Sequence, residues 1–328
     1  MASTENEIAI DLFPFIRTYK NGTVERLMHT PFVEPSPVNN PTAGVCSKDI
    51  KISPTVSARI YLPNKALSAP NHISNKLPVL VYYHGGAFCL ESAFCALFHN
   101  YVNTIVSKSQ KLIAISVEYR LAPENPLPAA YEDSWAALNW VTSHANKQTQ
   151  PENKDHWIVQ YADFEKLYLG GDSAGGNIAY NMAMRVGLKK LKGDVNIYGG
   201  FLSHPHFWGS KAIRSEVTNN REEAWLSRIW RAVYPDSPGG DDNPVVNPWA
   251  EGAPAISGLG FKRMLVVVAE KDEMRDRGVE FVEFVKNSKW DGVVELVEYE
   301  SEGHCFNLFN PDCDNSKDFI NRLVSFMG

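Results

Sequence analysis

The sequence predicts an α/β protein with a mostly parallel central sheet and helices on both faces, and three observations predict it. Nearly unbroken apolar runs recur: LPVLVYYH (77–84), KLIAISVEY (111–119) and RMLVVVAE (263–270). Segments of helical spacing lie between them, as in PAAYEDSWAALNWVTSHA (128–145), where Trp135, Leu138, Trp140 and Val141 recur about once per turn. Glycine pairs close two of the runs, at Gly85-Gly86 and Gly170-Gly171. Strands covered on both faces read as continuous apolar runs, because neither side of the pleat meets water. At 328 residues the chain exceeds a usual domain, yet one large sheet reaches that size as a single unit.

The remaining elements follow in order. VSARIYL (56–62) alternates and predicts an early strand, after an irregular Pro/Asn-rich arm at 32–44 and before a polar loop at 64–76. KLYLGG (166–171) predicts a short buried strand followed at once by a helix through NIAYNMAMRV. NIYGGFLSH (196–204) and VVELVEYE (293–300) predict further strands, and VEFVEFVKNS and KDFINRLVSFM amphipathic helices. The stretch 207–248 breaks the alternation with a Trp-rich helix, EEAWLSRIWRAVY, and a loop, PDSPGGDDNPVVNP. It reads as an insertion over the sheet edge. Elements at about 1–45 and 205–248 are expected to form a lid on one domain.

Composition narrows the function classes. Hydrophobic residues make up 44% and charged residues 21%, enough apolar chain for a real core. The net charge of -6, with no Lys/Arg run, repels phosphate backbones and anionic membrane, so neither is an expected partner. Five scattered cysteines (Cys46, Cys89, Cys95, Cys305, Cys313) make no disulfide framework and show no zinc spacing. No metal or cofactor is expected. The start, MASTENEIAIDLFPFIR, lacks the basic-then-apolar pattern of a secretory leader, and no run approaches the roughly 18 apolar residues of a membrane span. A cytoplasmic chain is therefore expected, with Asn21-Gly22-Thr23 a turn before a strand and not a glycan acceptor. The expected partner is a small molecule, and the sequence leaves monomer and homodimer open.

Gly171-Asp172-Ser173-Ala174-Gly175 matches G-x-S-x-G between a strand and a helix. A serine on so sharp a turn needs small neighbours, and the helix start behind it favours developing negative charge. Ser173 is the expected nucleophile. His84-Gly85-Gly86-Ala87 closes an upstream strand, where unobstructed backbone N–H groups serve an oxyanion. The oxyanion hole is assigned to the amides of Gly85, Gly86 and Ala174, with His84 shaping the loop. A serine hydroxyl needs a base, and partners in the order serine, acid, histidine are offered after two later strands: Asp272, then His304. Asp276 is the rival acid and reads as pairing with Arg275, Arg277 or another surface group. Asp172 reads as bonding the turn backbone, Cys305 as a packing residue beside His304, and His204 and His206 as pocket-lining. The rest of the pocket is expected from Phe88, Cys89 and Leu90, from Phe207, Trp208 and Trp225 of the lid, and from Cys305 and Phe306.

With HGGA, EYRLAPENPLPAAYED (118–133), GDSAGGN (171–177), KDEMRDRG (271–278) and EGHCF (302–306) in this order, the chain resembles plant carboxylesterases of the hormone-sensitive-lipase-like branch of α/β-hydrolases. The resemblance covers nearly the whole chain. ESAF, WVTSHAN and HFWGSK resemble 2-hydroxyisoflavanone dehydratases and esterase-like enzymes of alkaloid pathways most closely. The resemblance implies catalysis by Ser173, Asp272 and His304 with oxyanion glycines at Gly85 and Gly86. Ala87 stands where the family pattern has a third glycine. The expected activity is hydrolysis of a small plant-metabolite ester. Dehydration or cyclisation on the same fold is the alternative, and a non-catalytic ligand receptor is a second one, which the retained His304 opposes.

Overall fold

The computed structural model describes residues 7–36, 44–68, 76–146 and 154–328. The expected arm at 32–44, the polar loop at 64–76 and the start of the lid element at 1–45 lie partly outside the described residues. The chain opens on a small antiparallel sheet, β1 (Ile8–Leu12), β2 (Ile16–Tyr19) and β3 (Val24–Arg26). Gly22, at φ +87°, makes the turn between the last two.

The main sheet has eight strands. They are β4 (Val45–Lys51), β5 (Ser57–Pro63), β6 (Leu77–Tyr83), β7 (Ile113–Glu118), β8 (Ala162–Asp172), β9 (Gly199–Ser203), β10 (Arg263–Ala269) and β11 (Val293–Tyr299). Their spatial order is β11-β10-β9-β8-β6-β7-β5-β4. The pairings from β7 through β6, β8, β9 and β10 to β11 are parallel; β5 alone runs against the rest, pairing antiparallel with β7 on one side and β4 on the other.

Burial explains the apolar runs. Every residue of β6 is buried. Val79, Val81 and Tyr83 join one core, shared with Leu138, Ile178 and Phe281 of the helices on that face. Leu80 and Tyr82 join a second core with Phe98, Val102, Ile105 and Leu323 on the opposite face. Alternate side chains of one strand thus enter two dry layers. β11 and β4 are the edges, and the solvent-facing Val293 marks the first.

A helix at Ala96–Ser109 was not anticipated. Its start has no side-chain cap, so the sequence carries no start signal there. It forms because Phe98, Val102, Ile105 and Val106 line one stripe that the sheet covers.

The insertion carries the short helix Trp225–Val233, and the N-terminal sheet docks on it. Phe15 packs against Trp225 with ring centroids 4.8 Å apart, and Arg228 donates to the Asp11 carbonyl at 2.6 Å. Arg26 ties the same sheet to the main body. Its guanidinium reaches the carbonyls of Cys89 and Ala122 and both carboxylate oxygens of Glu124. We expect Arg26→Ala to loosen the N-terminal sheet from the main body with little change in global stability, checked by limited proteolysis of that sheet beside a thermal melt.

Candidate active site

The carboxyl ends of β6 and β8 are neighbours, and the chain reverses its direction of winding between them. Open α/β sheets bind ligands in the crevice at such a point. Ser173 directly follows β8 at φ +57°, ψ −118°, a conformation rarely adopted outside glycine. Hydrogen bonds over-determine that strain: the Ser173 N–H donates to the Ser203 carbonyl (2.8 Å), and the His206 N–H donates to the Ser173 carbonyl (3.0 Å). A Cβ at Gly175 would stand 1.9 Å from the Tyr83 carbonyl oxygen, and one at Gly171 would stand 2.4 Å from it. The flanking glycines are what let helix, turn and β6 close together.

The amides assigned to the oxyanion surround this serine. Gly85 lies against it, since a Cβ there would meet the Ser173 Cβ at 3.4 Å. Gly86 takes φ +103°, and its carbonyl accepts from the N–H groups of Cys89 and Leu90. No backbone hydrogen bond outside helices and strands is donated by Gly85, Gly86 or Ala174 among the described residues. His84 is buried behind the loop, stacked on Tyr119 at 4.2 Å, and its Nδ1 lies 2.7 Å from the Gly85 carbonyl. Burial pushes its imidazole down to about 4, so it stays neutral and holds the loop. The loop is also held from below by Glu118, which accepts from the Ser92 hydroxyl and the Ala93 amide.

His304 follows β11 and Asp272 follows β10. His304 Nε2 lies 3.0 Å from Ser173 Oγ, and His304 Nδ1 lies 2.7 Å from Asp272 Oδ2. The other carboxylate oxygen accepts the Met274 N–H at 2.9 Å. Burial opposes the Asp272 charge, but the two histidines and their hydrogen bonds outweigh it and hold the carboxyl well below its usual range. Burial likewise opposes the His304 imidazolium. The adjacent Cys305 thiol is itself pushed up by burial, so it is protonated near neutral pH and adds no charge. Asp272 is then the anion that holds His304 well above its ordinary value. Asp276, the rival acid, is turned away: it accepts from Ser215 and Arg275.

His204, Asp272 and His304 each place one ligand-type atom within 4.8 Å of the others. The 2.7 Å between His304 and Asp272 is hydrogen-bond spacing, shorter than the roughly 3.3 Å between two ligands of a tetrahedral zinc. The trio is arranged to share protons.

A cavity of about 450 Å³ opens onto Ser173, His304, Gly85 and Gly86, within the range that holds a drug-sized ligand. Of the expected wall, Leu90, Trp225 and Cys305 line it. Phe88, Cys89, Phe207, Trp208 and Phe306 do not, because each turns into the core. Phe88 packs on Tyr131 and Trp230, Phe207 on Tyr180 and Phe281, and Phe306 on Tyr299 and Phe319. Trp208 lies under Arg221 and donates to Ser227, and the buried Cys89 offers only its carbonyl, to Arg26. Their places are taken by Phe15 and Met28 of the N-terminal sheet region, by Leu97, and by Leu308 and Phe309. The apolar rim of the N-terminal arm was the available signal for the first two.

Two further expectations are corrected. Asp172 bonds no turn backbone; it is buried and accepts from the Tyr82 hydroxyl (2.8 Å) and the Asn307 amide (3.0 Å). Of the His204–His206 pair only His206 lines the cavity, while His204 points at Asp272. Burial and His304 push His206 down to about 3, so it faces the cavity as a neutral imidazole.

Comparison with known proteins agrees with this fold. Residues 80–308 match a family model described as alpha/beta hydrolase fold. The chain is 52% identical to 2-hydroxyisoflavanone dehydratase of Glycyrrhiza echinata, over 99% of this chain and 98% of the relative. It is 42% identical to probable carboxylesterase 5 of Arabidopsis thaliana, over 98% and 99%. Among solved structures it is similar to a hyperthermophilic esterase from Pyrobaculum calidifontis, with TM-score 0.65 and 25% identity over 89% of this chain and 86% of that one. The strand-to-helix serine turn and the sequence relatives lead to one conclusion: the chain belongs to the α/β-hydrolase family, in the plant group that includes carboxylesterases and 2-hydroxyisoflavanone dehydratases.

Proposed function

We propose that the protein is a serine carboxylesterase acting on an ester of a small plant specialised metabolite. The observation that carries this reading is the continuous line from Ser173 Oγ through His304 to Asp272, opening into an apolar cavity beside free backbone amides. Ser173 Oγ attacks the ester carbonyl while His304 Nε2 takes its proton. The amides of Gly85, Gly86 and Ala174 receive the oxyanion. His304 returns the proton to the leaving alcohol, and water then releases the acid through the same cycle. Stopped-flow mixing with p-nitrophenyl acetate is expected to show a burst of about one nitrophenolate per protein, followed by slower turnover. A folded protein with neither burst nor turnover overturns the reading.

The pH profile has a defined sign. Neutral His304 is the base, so kcat/KM rises with pH through its pKa, which lies above the ordinary value of about 6.5. Asp272→Asn removes the anion, so the rising limb moves to lower pH while kcat falls by about 10⁴. A limb that stays in place contradicts the role of Asp272.

The 52% identity to a dehydratase favours a second reading. There His304 removes a proton from a bound flavonoid or alkaloid, and the same amides hold the enolate. The two readings separate on Ser173→Ala, which lowers hydrolysis by about 10⁶ but only weakens elimination.

A further inference from the structure

We propose that His204 is a positioning residue of the proton relay: its Nδ1–H is a second donor to Oδ2 of Asp272, so the carboxylate is clamped between two imidazoles. This rests on the reading of Ser173, His304 and Asp272 as a relay.

His204 is the first residue after β9. It takes φ +46°, and its N–H donates to the Val267 carbonyl of β10 at 2.8 Å. A residue with a side chain holds that conformation only where its surroundings insist on it. Its side chain is fully buried, and Nδ1 lies 3.2 Å from Asp272 Oδ2. The ring meets His304 edge-on at 5.6 Å and Phe306 at 5.7 Å, so it is wedged and not free to swing away.

Both ring nitrogens are buried, and neither has an aligned hydrogen-bond partner among the described residues. Every imidazole carries at least one N–H, and leaving it unmade in a dry interior is costly. Asp272 Oδ2 is the acceptor within reach. Asp172, the other carboxylate whose charge His204 feels, is already engaged by Tyr82 and Asn307. His304 meets the ring edge-on, and His206, two residues further on, faces the cavity as a neutral imidazole and feels the charges of both His304 and Asp272. Hydrogen bonds of this kind are often poorly aligned before substrate binds and tighten afterwards. A small rotation of the ring brings the N–H onto the oxygen.

The clamp has two consequences. It fixes the plane of the carboxylate, with Met274 N–H on one oxygen and two imidazoles on the other. It also draws off part of the carboxylate's charge, which tempers the pull on the His304 proton. Without His204 that pull strengthens, and His304 binds its proton more tightly.

The test uses the full-length protein with His204→Phe and His204→Asn. Asn places its side-chain amide near the Nδ1 position, and Phe keeps the packing without a donor. His304 is titrated by NMR of its imidazole resonances, and Ser173 reactivity is read as the rate of labelling by a fluorophosphonate. In His204→Phe the His304 titration is expected to move up by about half a unit, with labelling near pH 7 slowed about tenfold. His204→Asn is expected to match the wild-type protein in both. A folded His204→Phe protein with unchanged titration and labelling overturns the proposal, as does an Asn variant that behaves like Phe. If His204→Phe does not fold, His204→Gln replaces it, since Gln places its amide near Nε2 and is expected to lose what Asn retains; equal behaviour of the two overturns the proposal. The titration needs no substrate, so a protein inactive on every ester disproves hydrolysis without touching this result.

Discussion

Ser173→Ala and His304→Ala are each expected to lower kcat for p-nitrophenyl butyrate by about 10⁶, and the double variant by no more. In the proposed mechanism the Ser173 hydroxyl forms the acyl bond, and it is unreactive without the base 3.0 Å away. Because the groups act as one unit, losing either forfeits the whole relay. A residual acceleration of about 10³ over water is expected to persist, supplied by the cavity and the backbone amides. Ser173→Ala is expected to melt with the wild type, and His304→Ala to fold but melt lower. Ser173→Ala keeps the strained backbone, whose bonds to Ser203 and His206 are made by main-chain atoms. His304 is only partly buried, so its loss leaves no sealed cavity, but it takes a hydrogen-bonded partner from the buried Asp272 carboxylate. Steady-state kinetics with thermal melts checks the pair. Retention of more than a hundredth of kcat in either folded variant contradicts the proposed mechanism.

Gly175→Ala is expected to prevent stable folding, at a cost above about 4 kcal/mol. The added methyl carbon would lie 1.9 Å from the Tyr83 carbonyl oxygen and 2.7 Å from that of His84. Both atoms belong to the backbone of a central strand end, so neither gives way as a flexible side chain would. Relief requires separating the helix Ala174–Leu188 from β6, which moves Ser173 away from the glycine loop. Gly258→Ala is the control: nothing lies within 4 Å of its Cβ position, and a change within about 0.5 kcal/mol is expected. Soluble yield and urea midpoints compare the two. A Gly175→Ala protein as stable as the control contradicts the account of the turn.

The features legible in the sequence are those that local physics dictates. Unbroken apolar runs such as 77–84 form β strands buried on both faces. G-x-S-x-G between strand and helix permits one tight turn, so Ser173 was found where the geometry now has it. Strand ends in a parallel sheet gather on one side, which is why Ser173, Asp272 and His304 meet although far apart in the chain. The wall of the cavity was not legible in this way. Phe88 lies beyond the strand at φ +62°, where a positive φ reverses the side chain, and no periodicity reports that. Phe207, Trp208 and Phe306 are as hydrophobic as true pocket residues, and only the position of their neighbours sends them inward.

By itself the sequence determined the class of fold, the serine turn and the order of its partners, because strand burial, glycine geometry and strand-end chemistry are short-range or set by topology. Tertiary structure alone decided the rest. Docking of the N-terminal sheet through Arg26 and Phe15 brings Phe15 and Met28 to the cavity. Closure of β6 against β8 gives Asp172 its partner at Tyr82, and the helical turn Phe306–Phe309 brings Asn307. The junction of β9 with β10 sets His204 3.2 Å from the carboxylate of Asp272. Each of these contacts joins residues far apart in the chain, and which of many apolar or polar side chains meet is settled only by packing them all at once.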